Sequence, residues 1–307
     1  AVKYHKEDDE VMERQILYII DKDYKSISDF LKSKGYTSSN IVELKKYENG
    51  IVLNGTWAYM NQKPARFDRL LVRVCEYKKS ENILPVFIKL DIKYEDEDIV
   101  VVNKPSDMPI HPSLNNYENS MANALMYYYR DKNFVFRCIN RLDRDTTGLT
   151  VVAKHFLSAG ILNTFMQRRE IKRVYNAIVE DDGSLTESGT VDAPIAREDN
   201  TLIKRRVSSE GQRAITNYKV LKRLNGASLI ELRLDTGRTH QIRVHMSYIG
   251  HPLVGDYLYN ERYYDKENVR PLLHSKSLSF IHPITGEDLY LECELPKDFK
   301  ERIDEYV

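Results

Sequence analysis

The stretch Ile139-Asn140-Arg141-Leu142-Asp143-Arg144-Asp145-Thr146-Thr147-Gly148-Leu149 decides how the rest of the chain is read. It joins a strand-like run, FVFRCI (134–139), to an apolar one, LTVVAK (149–154), and is itself polar and turn-like. Loops at the ends of sheets are where a scaffold usually presents reactive side chains. Taken bare, the stretch has two readings: an inert surface turn laced with arginine–aspartate pairs, or a platform for a reactive carboxylate. Periodicity alone favours the inert turn.

Working outward, LTVVAK and RVYNAIVE (173–180) read as buried strands either side of a helix, HFLSAGILNTFMQRR (155–169). Further strand runs follow at AITNYKVLKRL (214–224), ASLIELRLD (227–235), SLSFIH (277–282) and EDLYLECEL (287–295), with one helix after Thr239. Upstream, IKYEDEDIVVVNKPSDMPIHP (92–112) reads as strand, acidic turn, strand and a proline-punctuated loop that cannot continue regular pairing. Asn119 or Ser120 caps a helix over MANALMYYYRD (121–131). Strands at this density, interrupted by a few helices, predict an α+β domain over residues 92–307, built on a mixed, largely antiparallel sheet.

Ahead of it, residues 24–78 form a smaller unit: two short helices (SISDFLKSKGY, 26–36, and NIVELKKYEN, 40–49), then the strand-like runs IVLNGTWAYM (51–60) and RFDRLLVRV (66–74). Residues 79–91 read as a linker and residues 1–23 as an N-terminal extension. The chain begins at Ala1, which is read as a processed or shortened start, and the acidic cluster from Glu7 to Asp9 as poorly ordered and without assigned function.

Composition narrows the classes. A chain of 307 residues with 42% hydrophobic residues is long enough for two domains and a sizeable core. Lysine plus arginine equals aspartate plus glutamate at 46 each, so a nucleic-acid partner would have to meet a local basic cleft. The three cysteines, Cys75, Cys138 and Cys293, lie far apart with no CxxC spacing, which argues against a zinc site or a disulfide framework and fits a reducing cytoplasm. No apolar run approaches the roughly 18 to 20 residues of a membrane span, and AVKYHKEDDE lacks the pattern of a signal peptide. His111, His155 and His274 show no metal spacing and are read as satisfied structural histidines. No P-loop, dinucleotide fingerprint or nucleophile elbow is present, so no cofactor and no metal is expected.

Three motifs, in order, carry a resemblance to the RluA-type pseudouridine synthases. The opening stretch resembles the signature His-Arg-Leu-Asp-x-x-Thr-Ser-Gly, with Asn140 in the histidine position and Thr147 in the serine position. Residues 170–179, Glu-Ile-Lys-Arg-Val-Tyr-Asn-Ala-Ile-Val, resemble the second motif, Lys-x-Tyr-x-Ala-x-Val. Residues 236–245, Thr-Gly-Arg-Thr-His-Gln-Ile-Arg-Val-His, resemble the third at every position. The likeness runs from about Ile92 to the C-terminus, and the order of elements in residues 24–76 is similar to the small alpha-L RNA-binding fold that many such enzymes carry.

The resemblance implies an RNA pseudouridine synthase that isomerises uridines in ribosomal or transfer RNA without a cofactor. It makes Asp143 the catalytic carboxylate, Arg243 its ion partner and Tyr175 the platform on which the flipped uracil stacks. Arg141 matches the arginine that enters the space left by the flipped nucleotide, Leu273 supplies an apolar wall, and Arg238 meets RNA phosphate or structure. Arg141, Arg144, Arg238 and lysines near Lys104 and Lys172 are expected to line a basic RNA groove. Gly250-His-Pro-Leu-Val-Gly-Asp256 reads as a glycine-bounded turn that serves folding, and His282-Pro-Ile-Thr-Gly286 as a hairpin turn. A monomer is the default. Two other classes stay open: an RNA-binding protein that has lost catalysis, and a carboxylate-dependent glycosidase or nucleosidase, for which Asp145 is the nominal second acid.

Overall fold

Polar residues that cap helices and glycines that reverse strands set the order of the N-terminal unit. The computed structural model describes residues 11–114 and 116–306, and the cluster from Glu7 to Asp9 lies outside them. The unit comprises β1 (Met12–Ile19), α1 (Ile27–Ser33), α2 (Ser38–Leu44), β2 (Ile51–Leu53), β3 (Thr56–Trp57) and β4 (Arg69–Glu76). Ser26 caps α1 by accepting from the Asp29 amide, and Thr37 and Asn40 close a capping box on α2. Asn54 and Gly55, both at positive φ, fold what reads as one strand into the β2–β3 hairpin.

The sheet order is β1-β4-β2-β3. β1 lies antiparallel to β4 from Met12 opposite Glu76 to Ile19 opposite Arg69. This corrects the reading of residues 1–23 as an extension: residues 12–19 complete the sheet of the small domain. Only Ile16 in β1 is buried, so the strand carries little hydrophobic pattern of its own and is held by its ladder.

The larger domain continues with β5 (Ile92–Glu95), β6 (Ile99–Lys104), α3 (Met121–Tyr128), β7 (Arg137–Cys138), β8 (Thr147–Ala153), α4 (Phe156–Gln167) and β9 (Lys172–Glu180). Then come β10 (Ser188–Asp192), β11 (Ile195–Arg197), β12 (Arg205–Val207), β13 (Ile215–Leu224), β14 (Ala227–Leu234), α5 (Gln241–Tyr248), β15 (Leu273–Ile281), β16 (Asp288–Glu292) and α6 (Lys297–Glu305). One large sheet runs β10-β13-β14-β9-β15-β8-β6-β5, with β16 joined to β15 and β7 to β8, while β11 and β12 form a separate ribbon. Among the described residues, β8 and β15 make the one parallel pairing. The fold is α+β on a mixed, largely antiparallel sheet. β10, β11, β12 and α6 are elements that sequence periodicity does not announce.

The two domains share a core. Leu157 and Ile161 of α4 are buried in the same cluster as Phe30, Leu31, Ile41 and Leu44 of the small domain. Polar contacts fix the joint: Glu76 accepts from the Phe156 amide at 2.7 Å and from Arg137 at 3.1 Å, and Asn40 donates to the Phe156 carbonyl at 3.0 Å. Arg14 pairs with Asp98 Oδ1 at 3.0 Å, and the same oxygen meets His155 Nε2 at 2.9 Å. Asp96 and His282 gather beside Asp98. His282 Nδ1 accepts from the amides of Ile284 and Thr285, which leaves the ring proton on Nε2, 2.9 Å from Asp96. Among the described residues no helix is long and apolar enough to cross a membrane.

Candidate active site

The loop between β7 and β8 is shaped by backbone carbonyls and one amide side chain. Asn140 is buried and bonds β8 on both sides, donating to the Leu149 carbonyl at 3.0 Å and accepting from the Val151 amide at 2.7 Å. An asparagine suits this place because one planar amide offers a donor and an acceptor at once. The Thr146 amide then closes a turn on the Asp143 carbonyl at 3.1 Å, and Gly148, at φ 108, carries the chain into β8 against the Ser275 backbone. Thr147 Oγ1 meets His274 Nδ1 at 2.8 Å, and His274 Nε2 lies 3.2 Å from Cys293 Sγ. The loop is therefore anchored at both ends, and Asp143 stands at its tip with its side chain 27% exposed, open to a substrate.

The start of α5 supplies the cation. Gln241 organises residues 236–240: its carbonyl oxygen accepts from the Thr236 hydroxyl at 2.8 Å and the Arg238 amide at 3.0 Å, while its amide donates to the Ile215 carbonyl at 2.9 Å. Two residues on, Arg243 is buried with both Nε and Nη2 bonded to Asp256 at 2.7 Å, and its third nitrogen points to Asp143 at 3.8 Å. Burial opposes the charged guanidinium, but Asp256 and Asp143 overcome it and raise its pKa above the ordinary arginine value. Tyr259 and Tyr257 lie at 5.1 and 5.7 Å from the guanidinium carbon. Asp256 is thus the fixed counter-ion that aims Arg243 at Asp143. The sequence reading assigned the turn containing Asp256 to folding, and the signal it missed is an aspartate directly after a glycine at positive φ.

Tyr175 comes from β9, where it stands opposite Leu232 of β14 and Ser275 of β15. Its ring is buried, which pushes the phenol pKa up, so the hydroxyl stays protonated. Asp143, Tyr175 and Arg243 line one cavity of about 500 Å³, together with Arg141, Arg238 and Leu273. That volume falls in the range of small-ligand sites and accommodates a nucleoside. Arg141 and Arg238 are exposed at its rim. Arg173, which the sequence reading passed over, also lines the cavity, with Nε buried and unbonded and Nη2 3.4 Å from the Thr236 carbonyl.

Two expected groove residues are elsewhere. Lys104 is fully buried, its ammonium donating to the carbonyls of Pro105 and Arg144 at 2.8 Å, so it supports the Asp143 loop from behind and is no RNA contact. Arg144 is engaged with Asp145 at 3.0 Å and Tyr257 at 3.2 Å, off the cavity wall. Lys172 is exposed and donates to the Arg169 carbonyl at 2.9 Å. Asp145 does not line the cavity either. Against the upward push of burial, Arg144 and Tyr257 hold it below the usual carboxylate range, with both oxygens engaged. A glycosidase pair built on Asp143 and Asp145 therefore has no second acid in the site.

A model of the RNA pseudouridylate synthase family matches residues 98–248, from the β5–β6 turn to the end of α5. An uncharacterised RNA pseudouridine synthase of Bacillus subtilis, YjbO, is 36% identical over 280 residues, which span 91% of this chain and 98% of the relative. The chain belongs to the RluA-type RNA pseudouridine synthases. Ribosomal large subunit pseudouridine synthase D of Escherichia coli K12 is 40% identical over 243 residues, covering 75% of this chain and 74% of that enzyme. Among solved structures, human RNA pseudouridylate synthase domain containing 1 superposes with a TM-score of 0.56 at 28% identity, over 67% of this chain and 83% of that one. As a pseudouridine synthase the protein is an RNA isomerase, and a purely binding role does not describe it.

Proposed function

We propose that this synthase converts uridine to pseudouridine at defined positions of ribosomal RNA of the large subunit, with Asp143 as the reacting carboxylate. The observation that carries the reading is the convergence of Asp143, Tyr175 and Arg243, far apart in sequence, on one cavity of nucleoside size. The identity of 40% to enzymes named for large-subunit RNA supports the substrate class.

The chemistry breaks the bond from ribose C1′ to uracil N1, turns the base and joins C1′ to C5, whose proton then leaves. An ionised carboxylate serves either covalent addition to an electrophilic carbon or removal of a proton. Arg243, fixed by Asp256, presents a positive charge to Asp143 from 3.8 Å inside the cavity. Tyr175 offers its ring to the flipped uracil, Leu273 closes an apolar wall, and Arg141 at the rim fills the gap left in the RNA, which lowers the few-kcal/mol cost of flipping. Arg238 at the rim meets phosphate. The reaction is redox-neutral and proceeds without cofactor or metal in a monomer, and the three unpaired cysteines fit the cytoplasm.

The test is to treat total RNA lacking pseudouridine with the protein and with Asp143→Asn, and to map modified uridines by carbodiimide-dependent primer-extension stops. Discrete stops in large-subunit RNA with the parent and none with the variant are expected. Stops confined to transfer RNA would overturn the substrate class, and an active variant would overturn the role of Asp143.

A further inference from the structure

His240 of the 236–245 motif lines the same cavity as Asp143. It occupies the N-cap of α5 in the left-handed region, φ 56 and ψ 19, and makes no capping bond with its side chain. A non-glycine residue held there costs of order 1 kcal/mol and persists where the surroundings impose it. The side chain is spent inward. Nε2 lies 4.0 Å from Asp143 Oδ2, and Nδ1 lies 2.8 Å from the Tyr259 hydroxyl, which in turn accepts from the backbone amide of Arg205 at 2.9 Å.

These contacts determine the tautomer. The Tyr259 oxygen takes one hydrogen bond from Arg205, and its own proton has His240 Nδ1 as acceptor. A proton on Nδ1 would leave the phenol hydrogen without a partner in a half-buried place and turn a nitrogen lone pair toward the Asp143 carboxylate, and both are unfavourable. The ring proton therefore sits on Nε2 and faces Asp143. Burial pushes the His240 pKa below 6.5, opposed by Asp143 and reinforced by Arg243, with Asp256 and Arg205 the other charges near it, so the ring is a neutral donor at neutral pH.

We propose that His240 is a positioning residue for the reaction: its Nε2–H closes onto Asp143 when RNA fills the cavity, and Tyr259, held by β12, fixes the ring that donates it. Catalytic hydrogen bonds in an empty site are commonly long and tighten with substrate, and 4.0 Å is within such a closure. Asp143 is then held from two sides by the start of α5, by Arg243 in charge and by His240 in direction. The proposal rests on Asp143 being the reacting carboxylate. It also makes the β11–β12 ribbon part of the site, because the amide that orients Tyr259 belongs to its second strand.

The test uses large-subunit ribosomal RNA transcribed with tritium at uridine C5, and reads kcat and KM from tritium release. His240→Asn tolerates the left-handed backbone but is too short to reach Asp143, whereas His240→Gln reaches it with an amide N–H. We expect kcat to fall roughly 10- to 100-fold in His240→Asn, the scale of a lost hydrogen bond to a charged group, with KM little changed. His240→Gln should recover most of that loss, and Tyr259→Phe should lie between. Asp143 is faced by Arg243 and His240 from α5 and feels Tyr175 from β9 and Lys104 from β6. Unchanged kcat in His240→Asn, a loss carried by KM, or equal losses in both variants with a lowered melting temperature would overturn the proposal. Asp143→Asn in the same assay separates the two failures: if it is inactive while the His240 variants match the parent, only the role of His240 falls, and if it is active, the assignment of Asp143 falls first.

Discussion

Lys104 carries its amine into the interior of the fold, where the side chain is fully buried. It is enclosed, bonded to two carbonyls, and felt by Asp145 and Asp143, and burial pushes its pKa down to about 7 from an ordinary 10.5. The unfolded chain holds that proton up to about 10.5 while the folded chain sheds it near 7, so between these values the unfolded state binds more protons. Raising the pH through that window then favours the folded state. Lys104→Met has no such proton, and its urea midpoint relative to the parent's should fall steadily from pH 7 to pH 10. A constant difference across the window would show that Lys104 keeps an ordinary pKa. Residue identities of this kind were partly legible. Asp143, Tyr175 and Arg243 stood out because motifs fix their spacing, whereas the burial of Lys104 and the clamp of Asp256 depend on contacts between segments that no local pattern records.

At the scale of elements, the meeting of β8 and β15 positions the reacting loop. The two strands run parallel, His274 opposite Thr147 and Ser275 opposite Gly148, and a Cβ on Gly148 would overlap the Ser275 backbone. With φ at 108, the position also excludes an L-residue on conformational grounds. Gly148→Ala should lower the melting temperature and reduce pseudouridine formation together, because the strain is relieved only by moving the loop that carries Asp143 at its tip. Full activity with unchanged stability would mean that the strand junction does not set the loop. The long elements of this domain were legible from their apolar pattern, α4 through the apolar face it buries and β8 as a run buried at every position. The ribbon β11–β12 was not, because three-residue strands rich in arginine carry no period, and α6 was not, because Phe299 is its one fully buried side chain. β1 was missed for a related reason: its partner lies far along the chain, and pairing at such separation leaves no local trace.

At the scale of the molecule, the small domain is seated on α4 and shares its core. Leu157 and Ile161 are as much a part of that core as Leu31 and Ile41, and Glu76, Asn40 and Arg14 tie its rim to Phe156, Arg137 and Asp98. Removing the small domain would expose those two side chains and leave buried polar groups without partners, a combination that couples folding of the two units. The parent should therefore unfold in one calorimetric transition whose calorimetric and van't Hoff enthalpies agree. Gly160 is where this coupling can be cut: a Cβ there would enter the Asn40 amide, which closes the capping box of α2 and bonds the Phe156 carbonyl. Gly160→Val should weaken the joint by about 1–3 kcal/mol, the usual cost of overpacking, and split the unfolding into two transitions, the small domain melting first. Activity below the first transition should persist, since the α4 residue that lines the cavity is Met166, on the catalytic side of the helix. Two resolved transitions in the parent would mean that the domains fold independently despite their common core, and the small domain would then be a tethered module free to reorient on RNA.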